Sequence, residues 1–211
     1  MTKTHFIVVR HGETEWNVQG KWMGQLDSPL TPTGLEQARL LACRLQHVPF
    51  DAIYSSDLGR AVETATVIAK KKSLQITLDV RLRERHLGVL QGLTVPEMRE
   101  RHVQARTEYE RLEYDYVIPQ GESARQRVER AMACLEDVKL KHPGGSVLIV
   151  THGGILTGFF QQIVGVSPQA ARRFSLLNAA INVFVCEDDR WTLRTWGDIA
   201  HLETTGTLDE F

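Results

Sequence analysis

The chain has 211 residues, enough for a real hydrophobic core, and 42% hydrophobic with 24% charged residues is the balance of an ordinary globular protein. A formal net charge of −1 gives no global pull toward nucleic acid or an anionic membrane, so any bound anion must be held by local positive charge. No apolar stretch is long enough to span a bilayer, Met1 to His5 has no signal-peptide pattern, and three widely spaced cysteines (Cys43, Cys134, Cys186) in apolar contexts read as buried thiols in a reducing cytoplasm.

Phe6 to Val9 is an apolar, β-branched run, the pattern of a buried strand. Thr31-Pro32 opens a helix as N-cap and first helical residue, with Leu35, Ala38, Leu41, Ala42 and Leu45 at helical spacing behind it. Ala52 to Tyr54 reads as a second strand. Asp57 is placed to cap the next helix, which turns Ala61, Ala65 and Ile68 inward. Leu74 to Leu78 reads as a third strand. Residues 94–120 carry many charges and weak periodicity, the pattern of a mobile helical insertion or cap. Ser123 to Lys141 is a long amphipathic helix, and Pro143-Gly144-Gly145 a turn. Val147 to Val150 is another buried strand, followed by a helix from Gly153 to Val164. Ile181 to Cys186 and Trp191 to Trp196 form a hairpin pattern. Strands alternating with helices predict an α/β fold: a three-layer α/β/α sandwich on a mostly parallel sheet, with residues 1–211 as one domain carrying a cap.

Open α/β sheets bind ligands beyond the carboxyl ends of their strands. Those ends carry Arg10-His11-Gly12-Glu13 with Asn17, then Ser55-Ser56-Asp57 with Arg60, then Arg81 to His86 with Glu84, and finally His152-Gly153-Gly154 at a helix N-terminus. If the strands are parallel neighbours, these groups share one crevice. A phosphoryl group in transfer spreads charge over three oxygens, and the protein's task is to position and stabilise it. Arg10 and Arg60 supply forked donors, Asn17 a neutral donor and His152, if protonated, another. The amides near Gly153 sit at a natural anion site. His11 is the nucleophile, through a phosphohistidine, and Glu84 the proton donor and acceptor. The arginines neutralise the phosphate, so no metal or other cofactor is implied. Each piece also has an ordinary structural reading. Asp57 to Arg60 could be a helix cap with a solvated arginine. Glu84 could belong to a surface ion-pair cluster with Arg81, Arg83 and Arg85. Arg99, Arg101, Arg106 and Arg111 could be a solvated helix face.

Val9-Arg10-His11-Gly12-Glu13-Thr14-Glu15-Trp16-Asn17 resembles the signature of the histidine phosphatase superfamily, phosphoglycerate-mutase-like branch. The resemblance continues through Tyr54 to Ala61, Leu82 to Gly88, Gly121-Glu122-Ser123, Thr151-His152-Gly153 and Gly197 to Leu202. It implies His11 as the phosphorylated residue, Arg10, Arg60 and His152 as the phosphate pocket with Asn17 in support, Glu84 as acid and base, and backbone contacts to substrate around Gly24. The family holds phosphatases and mutases. Its cofactor-dependent mutases carry a tyrosine where this chain has Leu87, a lysine where it has Val95, and a longer insertion with adjacent arginines. The likeness is therefore to the small bacterial-type phosphatases, acting on a small phosphorylated metabolite such as a sugar phosphate, a phosphoglycerate, phosphoserine or a nucleotide-loop precursor. A phosphoglycerate mutase is the alternative, and a non-catalytic phospho-ligand module a more distant one. The pattern selects neither monomer nor homodimer.

Overall fold

Apolar side chains on both faces of the central strands dictate where the layers form. The computed structural model describes residues 2–111, 113–170 and 172–209. Met1, before the first strand, and Leu112, inside the expected cap, lie outside the described residues. Six strands, β1 (Lys3–Arg10), β2 (Ala52–Ser55), β3 (Ile76–Leu78), β4 (Ser146–Thr151), β5 (Ile181–Glu187) and β6 (Arg190–Asp198), form one sheet in the order β3-β2-β4-β1-β5-β6. β3, β2, β4 and β1 are parallel, and the β5–β6 hairpin extends the sheet antiparallel from β1. Phe6 and Val8 point to one face, and Ile7 and Val9 to the other. After the short α1 (Glu15–Val18), helices α2 (Pro32–Leu45) and α3 (Gly59–Lys72) cover the Ile7 face, and α6 (Ala124–Lys141) and α7 (Gly153–Val164) the Phe6 face. This is the expected three-layer α/β/α arrangement.

The Thr31 hydroxyl caps α2 by accepting from the Gly34 amide at 2.9 Å, with Pro32 in the first turn. Gly34, Gln37, Ala38, Leu41, Ala42 and Leu45 form the buried stripe. Leu35, expected inward, is 42% exposed, because the inner place in that turn belongs to Gly34. Cys43 falls one position past the stripe and is exposed, unlike the buried Cys134 and Cys186. β3 is three residues long rather than five, and at the sheet edge its Leu78 faces solvent. Residues 94–120 contain two short helices, α4 (Val95–Arg101) and α5 (Val103–Glu110). Met98 and Ala105 close a small apolar core with Leu87, Leu90 and Ile118, so this segment has packing of its own. No helix among the described residues is long and apolar enough to cross a membrane.

Candidate active site

The carboxyl ends of β1, β2 and β4 open together into one cavity of about 820 Å³, lined by Arg10, His11, Asn17, Gly24, Arg60, Glu84 and Gly154 among others. The site begins where β1 ends. The His11 amide donates to Thr151 O (3.0 Å), carrying the β1–β4 pairing one residue past the strand. The Gly12 amide donates to the Thr64 hydroxyl on α3 (3.1 Å). A side chain at Gly12 could not fit, since a Cβ there would lie 2.6 Å from Gly34 O. The Asn178 amide donates to His11 O (3.1 Å), so His11 is held from three sides.

His11 is buried, and its two ring nitrogens have different partners. Nδ1 lies 2.8 Å from Gly12 O, which can only accept, so Nδ1 carries the proton. Arg60 Nε donates to Nε2 at 3.3 Å, so Nε2 holds a lone pair. Burial, with the Arg60 and Arg10 guanidiniums beside it, holds the ring well below its ordinary pKa of 6.5. The imidazole is therefore neutral, with Nε2 as its nucleophilic atom. His152 lies close, ring centroids 5.2 Å apart. Burial and the same arginines, together with His11, depress its pKa too. The condition attached to His152 in the sequence reading, that it be protonated, is therefore not met: a third positive charge beside two buried guanidiniums is disfavoured. Its Nε2 lies 2.8 Å from the Ser56 hydroxyl. Ser56 Oγ already accepts from the Leu58 amide, so donating its own proton to Nε2 leaves His152 with a proton on Nδ1. That Nδ1 is buried with no hydrogen-bond partner among the described residues.

Arg10 and Arg60 are both essentially inaccessible. Burying a guanidinium costs several kcal/mol unless its donors are satisfied. Arg10 gives Nη1 to Leu176 O. Arg60, on the first turn of α3, gives Nη1 to Leu26 O (2.8 Å) and Asp27 Oδ1 (3.1 Å), and Nη2 to Gly24 O (2.8 Å). It thus fastens the Gly24–Asp27 loop as well as facing His11. Gly24 meets the cavity with φ +54°, and its carbonyl is spent on Arg60. Asp27 also accepts from the Arg60 amide (3.3 Å), and this long-range carboxylate supports the α3 N-terminus. Asp57 does not cap α3; the N-cap position is Leu58, and Asp57 turns to Arg83 at 2.5 and 2.7 Å.

Glu84 is not in an ion-pair cluster. Arg81 pairs with Asp79 and Asp137, Arg83 with Asp57, and Arg85 donates to the carbonyls of Glu122 and Tyr116. The Glu84 carboxylate accepts from the Arg85 amide (2.6 Å) and the Gly154 amide (2.8 Å). The acidic side chain at the α7 N-terminus is therefore Glu84 itself, and Gly154 rather than the buried Gly153 lines the cavity. Asn17 spends its oxygen on Thr14 and Asn178, leaving its NH2 end for the cavity it lines.

Three further participants escaped the sequence reading. Ser56 carries His152. Arg106 separates from the other cap arginines: Arg99, Arg101 and Arg111 make exposed ion pairs, whereas Arg106 lies over Trp22 (4.7 Å), pairs with Glu110 and lines the cavity. Arg127, on α6, lines the cavity as well. Its position on the apolar stripe, four residues before Ala131 and seven before Cys134, was the available signal. Among the described residues no group of three or more His, Cys, Asp or Glu side chains could hold a metal ion.

The model of the histidine phosphatase superfamily (branch 1) matches residues 6–199. The chain is 41% identical over 209 residues to a metal-independent phosphoserine phosphatase from Arabidopsis thaliana, covering 97% of this chain and 86% of that one. It is 40% identical to phosphoglycerate mutase-like protein 4 of the same plant, covering 96% and 88%. Among solved structures it is similar to Bacillus stearothermophilus YhfR, with a TM-score of 0.89, 32% identity and coverage of 95% and 100%.

Proposed function

The chain belongs to the histidine phosphatase superfamily (branch 1), and from that premise we propose that it is a phosphatase hydrolysing small phosphate monoesters through a phosphohistidine on His11. The observation that carries this reading is the tautomer of His11. In a ring that lines the cavity, Nε2 holds the lone pair and accepts from the Arg60 guanidinium, while Gly12 O holds the proton on Nδ1. In-line attack by Nε2 forms the N–P bond and breaks the ester P–O bond. Arg10 and Arg60 stabilise the charge on the phosphoryl oxygens, with Asn17 and the Nδ1–H of His152 as neutral donors. Two buried guanidiniums match a dianion without help from a metal. Glu84, aimed by two backbone amides, gives its proton to the leaving oxygen and then takes one from the water that cleaves phosphohistidine. Free thiols on Cys134 and Cys186 support a cytoplasmic setting.

Leu87 and Val95 line the cavity where the mutase pattern has a tyrosine and a lysine, which favours water over a second hydroxyl as acceptor. The test is brief exposure to a radiolabelled phosphate donor. It should leave an acid-labile label on the wild type and none on His11→Ala. Equal phosphate release by the two would sink the mechanism. Fast 2-phosphoglycerate formation from 3-phosphoglycerate with catalytic 2,3-bisphosphoglycerate, without phosphate release, would establish the mutase instead.

A further inference from the structure

Arg127 is 8% exposed and lines the cavity, yet its Nε is buried without a hydrogen-bond partner among the described residues. None of the ion pairs among those residues includes it. Glu122, an acidic neighbour in the same segment, is taken by Arg130 through contacts of 2.5 and 3.0 Å. The neighbouring cation Arg85 is occupied by two backbone carbonyls. A guanidinium buried without a counterion is costly, and a protein that merely needed to fill this position would do better with an apolar side chain.

The helix that holds Glu84 also fixes where Arg127 stands. A Cβ on Gly154 would lie 2.1 Å from Glu84 Oε1, and a Cβ on Gly158 would lie 3.7 Å from Arg127 Nη2. The two glycines are one turn apart on the same face of α7, about 6 Å along the axis. Thr157 lines the cavity between them. Resting on the reading that Glu84 serves the ester oxygen, we propose that Arg127 is a second anion subsite. The substrates are then phosphomonoesters bearing a carboxylate about two carbons from the ester oxygen. That spacer spans one helical turn when both ends are hydrogen bonded, and one guanidinium fork fits the two coplanar oxygens of a carboxylate.

The test uses matched pairs that differ in the carboxylate: O-phosphoserine against phosphoethanolamine, and 3-phosphoglycerate against glycerol 3-phosphate. The wild type should prefer the carboxylated member by about 10²-fold in kcat/KM, since a site built to bind a charged group rejects the analogue lacking it. In Arg127→Met that ratio should fall to within about threefold of one, and Arg127→Lys should restore part of it. The Met variant should melt at or above the wild-type temperature, because it removes an unpaired buried charge. A wild type that treats the members of each pair alike overturns the subsite, and so does an equal loss on both members in Arg127→Met. A second arm does not depend on turnover. In His11→Ala, calorimetric affinity for O-phosphoserine should weaken about 10²-fold on adding Arg127→Met, and unchanged affinity overturns the proposal. Failure of the wild type to hydrolyse p-nitrophenyl phosphate would refute the phosphatase reading instead, and this second arm would still decide the subsite.

Discussion

Acidification should weaken this protein through two buried histidines, His11 and His152. His11 and His152 are buried, and both are held well below the ordinary value of 6.5 by burial and by the arginines around them. The folded state therefore binds fewer protons than the unfolded chain once the pH falls through 6.5. Stability contributed by the neutral rings is complete above that value and is lost below it. Between pH 7.5 and 5.5 each unfolded-state imidazole gains most of a proton, which costs about 1.4 kcal/mol per histidine and about 2.7 kcal/mol for the pair. That is a large share of the 5–15 kcal/mol by which domains are usually stable. Urea unfolding at the two pH values measures it, comparing the wild type with a His11→Gln, His152→Gln double variant. His5 and His201 also have lowered pKa values, but both are present in the two proteins and cancel. The wild type should lose about 2.7 kcal/mol more than the double variant. An equal loss in both would mean that the imidazoles are not held neutral, and the assignment of Nε2 as a ready nucleophile would fall with it.

Arg60→Ala should lower turnover by about 10²–10³-fold, the usual effect of deleting one preorganised donor to developing charge; a change under threefold would take Arg60 out of the reaction. Because Arg60 also ties down Gly24, Leu26 and Asp27, the variant should expose that loop to faster proteolysis. Glu84→Gln should slow alkyl phosphates far more than p-nitrophenyl phosphate, whose leaving group needs no acid. Equal slowing of both would assign Glu84 to holding the α7 N-terminus alone. Ser56→Ala should cut kcat about tenfold, the equivalent of one hydrogen bond of roughly 1.4 kcal/mol that selects the His152 tautomer. In that variant KM should move little, and a kcat within twofold of wild type would remove Ser56 as a positioning residue.

The central layers were legible because their strands are buried on both faces. Phe6 to Val9 and Val147 to Val150 are unbroken apolar runs, and a strand covered by helices on both sides has no polar face to confuse its reading. β3 was overdrawn because an edge strand of three residues carries no such run. The site was legible as an inventory and illegible as a wiring diagram. Strand ends supplied His11, Arg60, Glu84 and His152, but no spacing rule says which carboxylate meets which arginine. Asp57 was read as the cap of α3 since it is next in sequence, whereas Asp27, 33 residues before Arg60, supplies that carboxylate. The protonation of His152 stayed open in the sequence for a related reason. A sequence lists the cations, but the field at a ring depends on how closely they gather and on what water is displaced. Arg127 was hidden because three arginines fall within six residues of α6, and only burial separates it from Arg125 and Arg130.

Arg10 and Arg60 meet two demands that would conflict in most sites. A phosphate pocket needs positive charge, and a histidine nucleophile needs to stay unprotonated. In the proposed site the charge that would recruit the dianion is the same charge that, with burial, keeps the proton off His11. A pocket built from two protonated histidines would bind phosphate and have no lone pair with which to attack it. Two guanidiniums face two neutral rings, with Asp27 as the outer partner of Arg60, and the positive charge left over is what a dianionic monoester would meet. In the proposed reaction the phosphoryl group on Nε2 keeps its charge between the same guanidiniums, the ring, still protonated on Nδ1, becomes cationic, and Glu84, having given its proton to the leaving oxygen, becomes the anion that offsets it. The leaving alcohol and the incoming water are the parts that exchange, and both pass Glu84. Arginine is required for this arrangement because a lysine ammonium, buried to the same degree, could itself give up its proton to relieve the repulsion.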